Sequence, residues 1–190
     1  MAFIVSSAES ERLDVTLMFL GDRFPVIVNP TLRASGWRGG LWVRYVTSTE
    51  GEFSVEVSDG NAAAGFLLFQ SEDYALTPPT GTGPGSPQNW ISYQPTLRSG
   101  GQNVVTMITG NTRAFFKIYE TRRLVAGART GVPIVYLLND LLKVSENGLI
   151  TNDSDVDLAT VGIANPIVVG IVSAVPTTQN GTRLGADINV

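Results

Sequence analysis

The sequence contains no cysteine and no histidine, and only 16% of its 190 residues are charged. Without cysteine there can be no disulfide and no thiolate nucleophile, and without either residue there is no Cys/His zinc site. Without histidine there is no Ser-His-Asp triad, and the commonest general base at neutral pH is missing. An enzyme would need carboxylates, lysine or tyrosine, so we expect a non-enzymatic protein with no cofactor and no catalytic metal.

The few charges are unevenly distributed along the chain. Residues 1–129 contain eleven acidic and eleven basic residues, whereas residues 130–190 contain six acidic and two basic ones, which accounts for the net charge of −4. An acidic end disfavours nucleic-acid binding, because phosphates are neutralised by Lys and Arg. The first ten residues lack a basic n-region, and no apolar run approaches the length of a membrane span. We therefore expect a protein made in the cytoplasm, with no nucleic-acid or membrane partner.

Short runs with a period of two predict β-strands throughout the chain. Phe53–Val57, for example, alternates apolar with polar residues, as a half-buried strand does. Long helical periodicity is scarce, and the sequence predicts short helices only at Ser7–Leu13 and Glu120–Ala126. The other predicted strands are Val15–Leu20, Phe24–Val28, Leu41–Thr47, Gly65–Phe69, Val104–Ile108, Ala114–Tyr119, Val132–Leu138, Leu141–Val144, Leu149–Thr151, Ile167–Ser173 and Arg183–Val190.

Turns rich in Gly and Asn separate these strands. The pair Asn147-Gly148 is the strongest hairpin signal, since both residues tolerate the positive φ that tight hairpin turns need. Many short strands joined by such turns predict a mainly β protein. We expect a β-sandwich-like or jelly-roll-like part over residues 1–123 and a small acidic β-barrel over residues 124–190.

One segment, residues 77–103, has no periodicity at all. Five of the ten prolines lie between Pro78 and Pro95, interleaved with glycine, so this segment cannot form a ladder strand. Loops of this length are usually functional or disordered, so the segment is either a contact arm or a passive linker. The predicted interface residues in this arm and in the basic segment that follows it are Pro78, Pro79, Pro84, Pro87, Trp90, Arg98, Arg122 and Arg123.

Three patterns invite a chemical interpretation. Asp153, Asp155 and Asp157 have the spacing that begins a calcium loop, but the required later Gly and Glu are missing, which leaves a surface loop or weak cation binding. The glycine-rich run 81–85 lacks the Lys-Ser/Thr of a phosphate loop. Carboxylate pairs such as Glu50/Glu52 or Glu72/Asp73 could serve a glycosidase.

Aromatic side chains bear on the glycosidase hypothesis, because a carbohydrate enzyme would be expected to line its cleft with them. We expect Trp42 in the core, since it lies within an apolar strand, and Trp37 and Trp90 at the surface.

Residues 98–129 are locally basic, with Glu120 as their single acid. These bases form salt bridges either with the acidic C-terminal part of the same or a neighbouring chain, or with an acidic partner surface. Charge complementarity of this kind chiefly sets orientation and specificity. Both interpretations remain open at the level of the sequence.

Part of the C-terminal stretch resembles small β-barrel modules of tailed-bacteriophage virion proteins, in particular capsid decoration (cement) proteins. The resemblance covers roughly residues 124–175 and consists of a G-x-P-V-Y-like strand, a short NG hairpin and V/I-G-I-V strands. The segments concerned are Gly131–Leu137, Leu142–Thr151, Val161–Ala164 and Ile167–Ala174.

This resemblance implies a role without an active site. It implies a virion structural protein on the capsid surface that binds the major capsid protein and stabilises the outer lattice, as a homo-oligomer, with a trimer favoured. Two alternatives stay open: a phage tail tube, tail tip or neck protein, and a carbohydrate-binding module.

Overall fold

The computed structural model describes residues 15–17, 22–47, 53–68, 104–125, 128–154, 158 and 162–190. These residues form antiparallel β-sheets with one short helix, which confirms the mainly β prediction. The strands are β1 Val15–Leu17, β2 Asp22–Ile27, β3 Trp42–Thr47, β4 Phe53–Val57, β5 Gly65–Leu67, β6 Val104–Thr109, β7 Thr112–Phe116, β8 Arg122–Val125, β9 Ala128–Pro133, β10 Leu141–Val144, β11 Ile150–Thr151, β12 Val168–Ala174 and β13 Leu184–Ile188. The helix, α1, spans Pro30–Ser35, and a 3₁₀ turn spans Thr178–Asn180.

Five strands form a sheet in the order β2-β6-β5-β3-β4, and this sheet curls until its two edges meet. Val28, directly after β2, forms a parallel bridge with Val55 in β4, and the Asn29 amide donates to the Val55 carbonyl at 2.9 Å. The curled sheet encloses its own hydrophobic cluster. The buried members are Val26, Val28, Leu32, Trp37, Val43, Val55, Leu67, Val105 and Met107.

The other large sheet has six strands in the order β1-β7-β13-β12-β10-β11. Its inner face shares one hydrophobic cluster with the outside of the five-stranded sheet. Within that cluster the Phe66 ring lies 5.4 Å from the Trp42 ring and 5.0 Å from the Phe116 ring, measured between centroids. Such tilted and edge-on contacts are the favoured geometries of aromatic pairs.

Because side chains alternate between the two faces of a strand, the five-stranded sheet contributes to two hydrophobic clusters. In β3, Trp42 faces the shared cluster, while the next residue, Val43, faces the interior of the curled sheet. Phe66 and Leu67 of β5 divide in the same way. Because successive side chains of a strand point to opposite faces, a continuous apolar run belongs to a strand that is covered on both sides.

Helix α1 was missed by the sequence analysis because it is only six residues long. Its start nevertheless follows ordinary capping rules: the Asn29 side chain accepts a hydrogen bond from the Leu32 amide at 2.8 Å, and Pro30 occupies the first turn. Gly36, with a φ of 70°, follows its last residue. The helix buries Leu32 in the interior of the curled sheet.

The hairpin predicted at Asn147-Gly148 is confirmed. Strands β10 and β11 pair antiparallel on either side of it, and Gly148 has a φ of 70°. The turn also contacts the other sheet, since the Trp42 amide donates to the Gly148 carbonyl at 2.8 Å. A glycine is needed here for its backbone conformation and for the space that it leaves.

Two predicted elements are wrong. The helix predicted at Glu120–Ala126 is strand β8, because pairing with β9 and burial of Leu124 against Leu158 and Ile163 override local helix propensity. The strand predicted at Val132–Leu138 ends at Pro133, and residues 134–140 form an irregular turn. Proline has no amide hydrogen to continue a ladder.

The boundary predicted between residues 123 and 124 falls inside β8. The six-stranded sheet combines β1 and β7, from before that boundary, with β10 to β13, from after it. Residues 124–190, for which a small barrel was predicted, thus contribute four strands to this sheet. The predicted helix Ser7–Leu13 and the Pro/Gly-rich segment 77–103 lie outside the described residues. Among the described residues, no helix has the length and apolarity needed to cross a membrane.

Candidate interaction surface

Exposed apolar side chains are concentrated in one part of the described structure. Eight of its ten exposed large apolar residues fall between Val125 and Ile171. Four of them lie within seven residues of one turn: Val135, Leu137, Leu138 and Leu141 are 71%, 61%, 60% and 55% exposed. We call residues 135–141 the apolar turn. A cluster of exposed apolar side chains is a common mark of an interaction site.

Hydrogen bonds within the apolar turn hold its shape. The Asp140 carboxylate accepts from the Leu137 amide at 2.8 Å, and the Asp140 amide donates to the Leu137 carbonyl at 3.2 Å. Asn139 adopts the left-handed conformation, with a φ of 68°. Asn tolerates this conformation better than most residues do, so the sequence Leu-Leu-Asn-Asp suits a tight turn that displays two leucines.

The apolar turn is also fastened to its neighbours. The Asn139 amide donates to the Val172 carbonyl, and the Val172 amide donates to the Asp140 carbonyl, both at 2.9 Å. The Asn152 side chain donates to the Val135 carbonyl at 2.9 Å and to the Asp140 carboxylate at 2.6 Å. The main chain that carries the exposed leucines is therefore preorganised, so a partner need not order the backbone of this turn on binding.

Next to the apolar turn lies the β8–β9 hairpin, and Leu124 is the one buried residue of its two described strands. Its ladder is irregular between Arg122 and Leu124. There the Arg122 guanidinium donates to the Gly131 carbonyl at 3.0 Å, and the Val132 amide donates to the Thr130 hydroxyl at 3.1 Å. Because side chains bind these main-chain groups, this part of β9 is poorly suited to pairing with a strand of another chain.

A buried carboxylate joins the hairpin to the core. The side chain of Glu120 is 1% exposed and accepts from Arg129 Nε of β9 at 2.9 Å. It also accepts from the Ser145 hydroxyl at 3.0 Å and from the Asn147 side-chain amide at 2.9 Å, both at the β10–β11 turn. Sequence reasoning missed this role, although an isolated acid within a basic segment was a usable signal.

Tyr136 connects the same network to the apolar turn. Its hydroxyl donates to the Glu120 carbonyl at 2.5 Å, and its ring meets that of Tyr119 edge-on at 5.5 Å. Burial raises the pKa of Tyr136, because the ionised phenolate would be poorly solvated there. Tyr136 therefore stays a neutral hydrogen-bond donor at physiological pH.

Two of the predicted interface residues, Arg122 and Arg123, lie in β8 and are exposed. Arg123 approaches the buried carboxylate of Asp153, with 3.7 Å between Nε and Oδ1. Arg113 forms a bidentate pair with Asp187, in which Nη2 and Oδ2 are 2.6 Å apart. For these two arginines the structure supports salt bridging with the acidic C-terminal part of the same chain. The remaining predicted contacts, Pro78, Pro79, Pro84, Pro87, Trp90 and Arg98, lie outside the described residues.

Of the other sequence predictions, one is confirmed, one is wrong and several concern residues outside the described ranges. Trp42 is buried as predicted, but the prediction that Trp37 is exposed is wrong, since it is only 8% exposed inside the curled sheet. Asp153 is buried against Arg123, and within the described ranges no group of three or more potential metal ligands occurs. Asp155 and Asp157, and the carboxylate pairs Glu50/Glu52 and Glu72/Asp73, lie outside the described ranges.

Comparison with known proteins yields no match to a family model, to a curated protein or to a solved structure. The function therefore has to be argued from the surface itself. This surface combines exposed apolar side chains on a hydrogen-bonded turn with exposed arginines of strand β8. Groups of these two kinds are common in protein–protein interfaces.

Proposed function

We propose that this protein is a non-enzymatic structural component of a tailed-bacteriophage virion. In this role it binds the outer capsid lattice, through the major capsid protein, and stabilises that lattice as a decoration (cement) protein. The observation that carries the proposal is the apolar turn, in which hydrogen bonds fix exposed leucines in place. A monomer that works alone gains nothing from such a surface, whereas a protein that docks on another does.

The size of the apolar turn bears on how binding would work. Fully burying an aliphatic side chain is worth about 1.5–3 kcal/mol, and these four side chains are already partly covered, so each contributes about 1 kcal/mol on docking. Association costs a comparable or larger amount in lost translational and rotational freedom, so a gain of about 4 kcal/mol leaves little net affinity. One copy would bind weakly. A homo-oligomer, with a trimer favoured, would bind a repeating lattice far more tightly through avidity.

An exposed positive charge would help to orient the protein on its partner. Arg122 is exposed, and its guanidinium donates to the Gly131 carbonyl, a neutral acceptor. Its positive charge favours an acidic group on the partner surface. A rim charge of this kind mainly affects the association rate and the salt dependence of binding.

The proposed role implies a location in the cell and in the virion, and it is joined by a proposal about the arrangement of the sheets. The protein would be made in the host cytoplasm and would reside on the capsid surface. A sandwich-like arrangement is favoured because the two large sheets share one hydrophobic cluster. The edges that meet at Val28 and Val55 belong to the N-terminal sheet and do not support the small barrel proposed for residues 124–190.

The test uses particles from the phage that encodes the chain. Purified protein is added to capsids lacking it, and the bound copies are counted after sedimentation. We expect saturation at a fixed number of copies per capsid. Leu138→Asp should abolish binding, because it places a charge in the buried contact. Tyr45→Asp is the matched control, since Tyr45 is also exposed but lies on β3, and it should bind as the wild type does.

Other outcomes would overturn the proposal. Immunogold label on the tail, or purified hexameric rings and stacked tubes, would favour the tail or neck alternative. Absence from purified particles would remove the virion role altogether. Equal loss of binding in Leu138→Asp and Tyr45→Asp would show that the apolar turn is not the contact.

A further inference from the structure

A groove lies on the outer face of the six-stranded sheet, where β7, β12 and β13 run side by side. Its volume is about 620 Å³, and its lining includes Asn111, Arg113, Val168, Ile171, Asp187 and Asn189. The groove is shallow and open to solvent, so a ligand would lie against the face of the sheet. The groove shares no residue with the apolar turn.

Strand alternation places the groove's side chains on one face. Arg113, Asp187 and Ile171 are neighbours in register across the three strands, while Ala114, Ala186 and Val172 face the shared core. Gly170 also lines the groove, and it cannot be larger, because a Cβ there would lie 2.1 Å from the Asp187 carbonyl oxygen.

The polar groups in the groove are ordered but carry no net charge. Asp187 receives the bidentate hydrogen bonds of Arg113, which lower the pKa of its carboxyl, and a further hydrogen bond from Ser173. The carboxylate is thus fixed in orientation and keeps acceptor capacity, since it has about four lone-pair sites. Asn111 and Asn189 add exposed carboxamides, which both donate and accept.

Val168 and Ile171 form an apolar wall beside these polar groups; they are 45% and 37% exposed. A lining of zero formal charge selects against anions and cations alike. Mixed donors and acceptors suit adjacent hydroxyl groups, and the apolar wall suits the C–H face of a sugar ring.

Peptide recognition by strand addition does not fit this groove. Strands β7, β13 and β12 each have a neighbouring strand on both sides, so their main-chain groups serve the sheet. Recognition must then come from the side chains, which match a compact hydroxylated ligand better than an extended chain. We propose that the groove binds a neutral saccharide. The proposal is independent of capsid binding, because a protein that failed to bind capsids could still bind a sugar.

The test is an NMR titration of the full-length, isotope-labelled protein. Neutral hexoses, N-acetylhexosamines and their short oligomers are added at up to millimolar concentrations. We expect saturable shifts of the backbone amides of Gly170, Ile188 and Asn189. Asn189→Ala should weaken binding roughly five- to tenfold, since it removes hydrogen bonds to the ligand. Gln179→Ala removes an exposed amide outside the groove lining and should bind as the wild type does.

Three results would overturn this proposal. The first is that no sugar shifts the groove amides. The second is that Asn189→Ala binds the sugar as tightly as the wild type does. The third is that extended peptides, but not sugars, shift the groove amides in a saturable way, which would make the groove a peptide site.

Discussion

The pair formed by Glu120 and Arg129 permits a quantitative prediction about stability. Glu120 is 1% exposed and Arg129 is 51% exposed, so the two partners differ greatly in their access to water. In Arg129→Met the carboxylate stays buried and keeps only its uncharged donors, Ser145 and Asn147. Removing one partner of a fully buried ion pair costs about 3–5 kcal/mol.

The expected cost here is smaller than that, because water reaches the Arg129 side of the pair. We expect Arg129→Met to lower the free energy of unfolding by about 2–3 kcal/mol. The assay is equilibrium unfolding in urea, followed by tryptophan fluorescence, since Trp37 and Trp42 are both buried in the folded state.

A double variant isolates the contribution of the charge. In Glu120→Gln/Arg129→Met position 120 no longer carries a buried charge, so this variant should be more stable than Arg129→Met alone by about 1 kcal/mol. If burial of the charge were not the cause, adding Glu120→Gln to Arg129→Met would lower the free energy of unfolding further. A double variant less stable than Arg129→Met would refute the reasoning.

The exposed pair of Arg113 and Asp187 supplies the control. It is also bidentate, but both side chains are substantially exposed. Arg113→Met should therefore change stability much less than Arg129→Met does, since exposed ion pairs contribute little. Similar losses in the two variants would contradict the assigned difference in burial.

Two further effects are expected. Because burial raises the pKa of Tyr136 above its unfolded value of 10.0, its contribution to stability is complete below that pH and is lost as the pH rises above it. Stability measured against pH should therefore fall in the alkaline range, and it should fall less steeply in Tyr136→Phe; equal slopes would contradict this. Gly148→Ala should lower stability more than Gly162→Ala, by about 1–3 kcal/mol in urea unfolding. Both glycines have positive φ, but a Cβ on Gly148 would lie 2.7 Å from Val57 Cγ1, whereas one on Gly162 meets nothing within 4 Å. Equal losses would show that backbone strain alone matters.

Local patterns in the sequence determined most of the strands. Phe53–Val57 and Leu141–Val144 were predicted with their observed bounds, because alternation and β-branched composition are properties of adjacent residues. The Asn147-Gly148 hairpin was predictable for the same reason, since its turn depends on neighbouring residues and Gly148 supplies the positive φ of 70°. The absence of cysteine and histidine likewise bounded the chemistry before any fold was known.

Only the tertiary structure decided how these strands associate. The bridge between Val28 and Val55, which brings the edges of the curled sheet together, joins residues 27 positions apart, and no local signal specifies it. The same holds for β8, where Leu124 finds its burial against Leu158 and Ile163, and for Trp37, which the curled sheet encloses. Long-range burial outweighs local propensity at these positions, because the apolar surface removed from water is worth more than a fraction of a kcal/mol per residue of intrinsic preference.

The candidate surfaces depended on tertiary structure for the same reason. Residues 135–138 of the apolar turn were predicted as part of a strand, because their apolar side chains suggest burial when only neighbours in sequence are considered. Their exposure follows from contacts with Asn152 and Val172, which are distant along the chain. The groove brings together Arg113 and Asp187, which lie 74 positions apart in the sequence. Composition could limit the kind of chemistry, but which side chains meet was decided by the pairing of the strands.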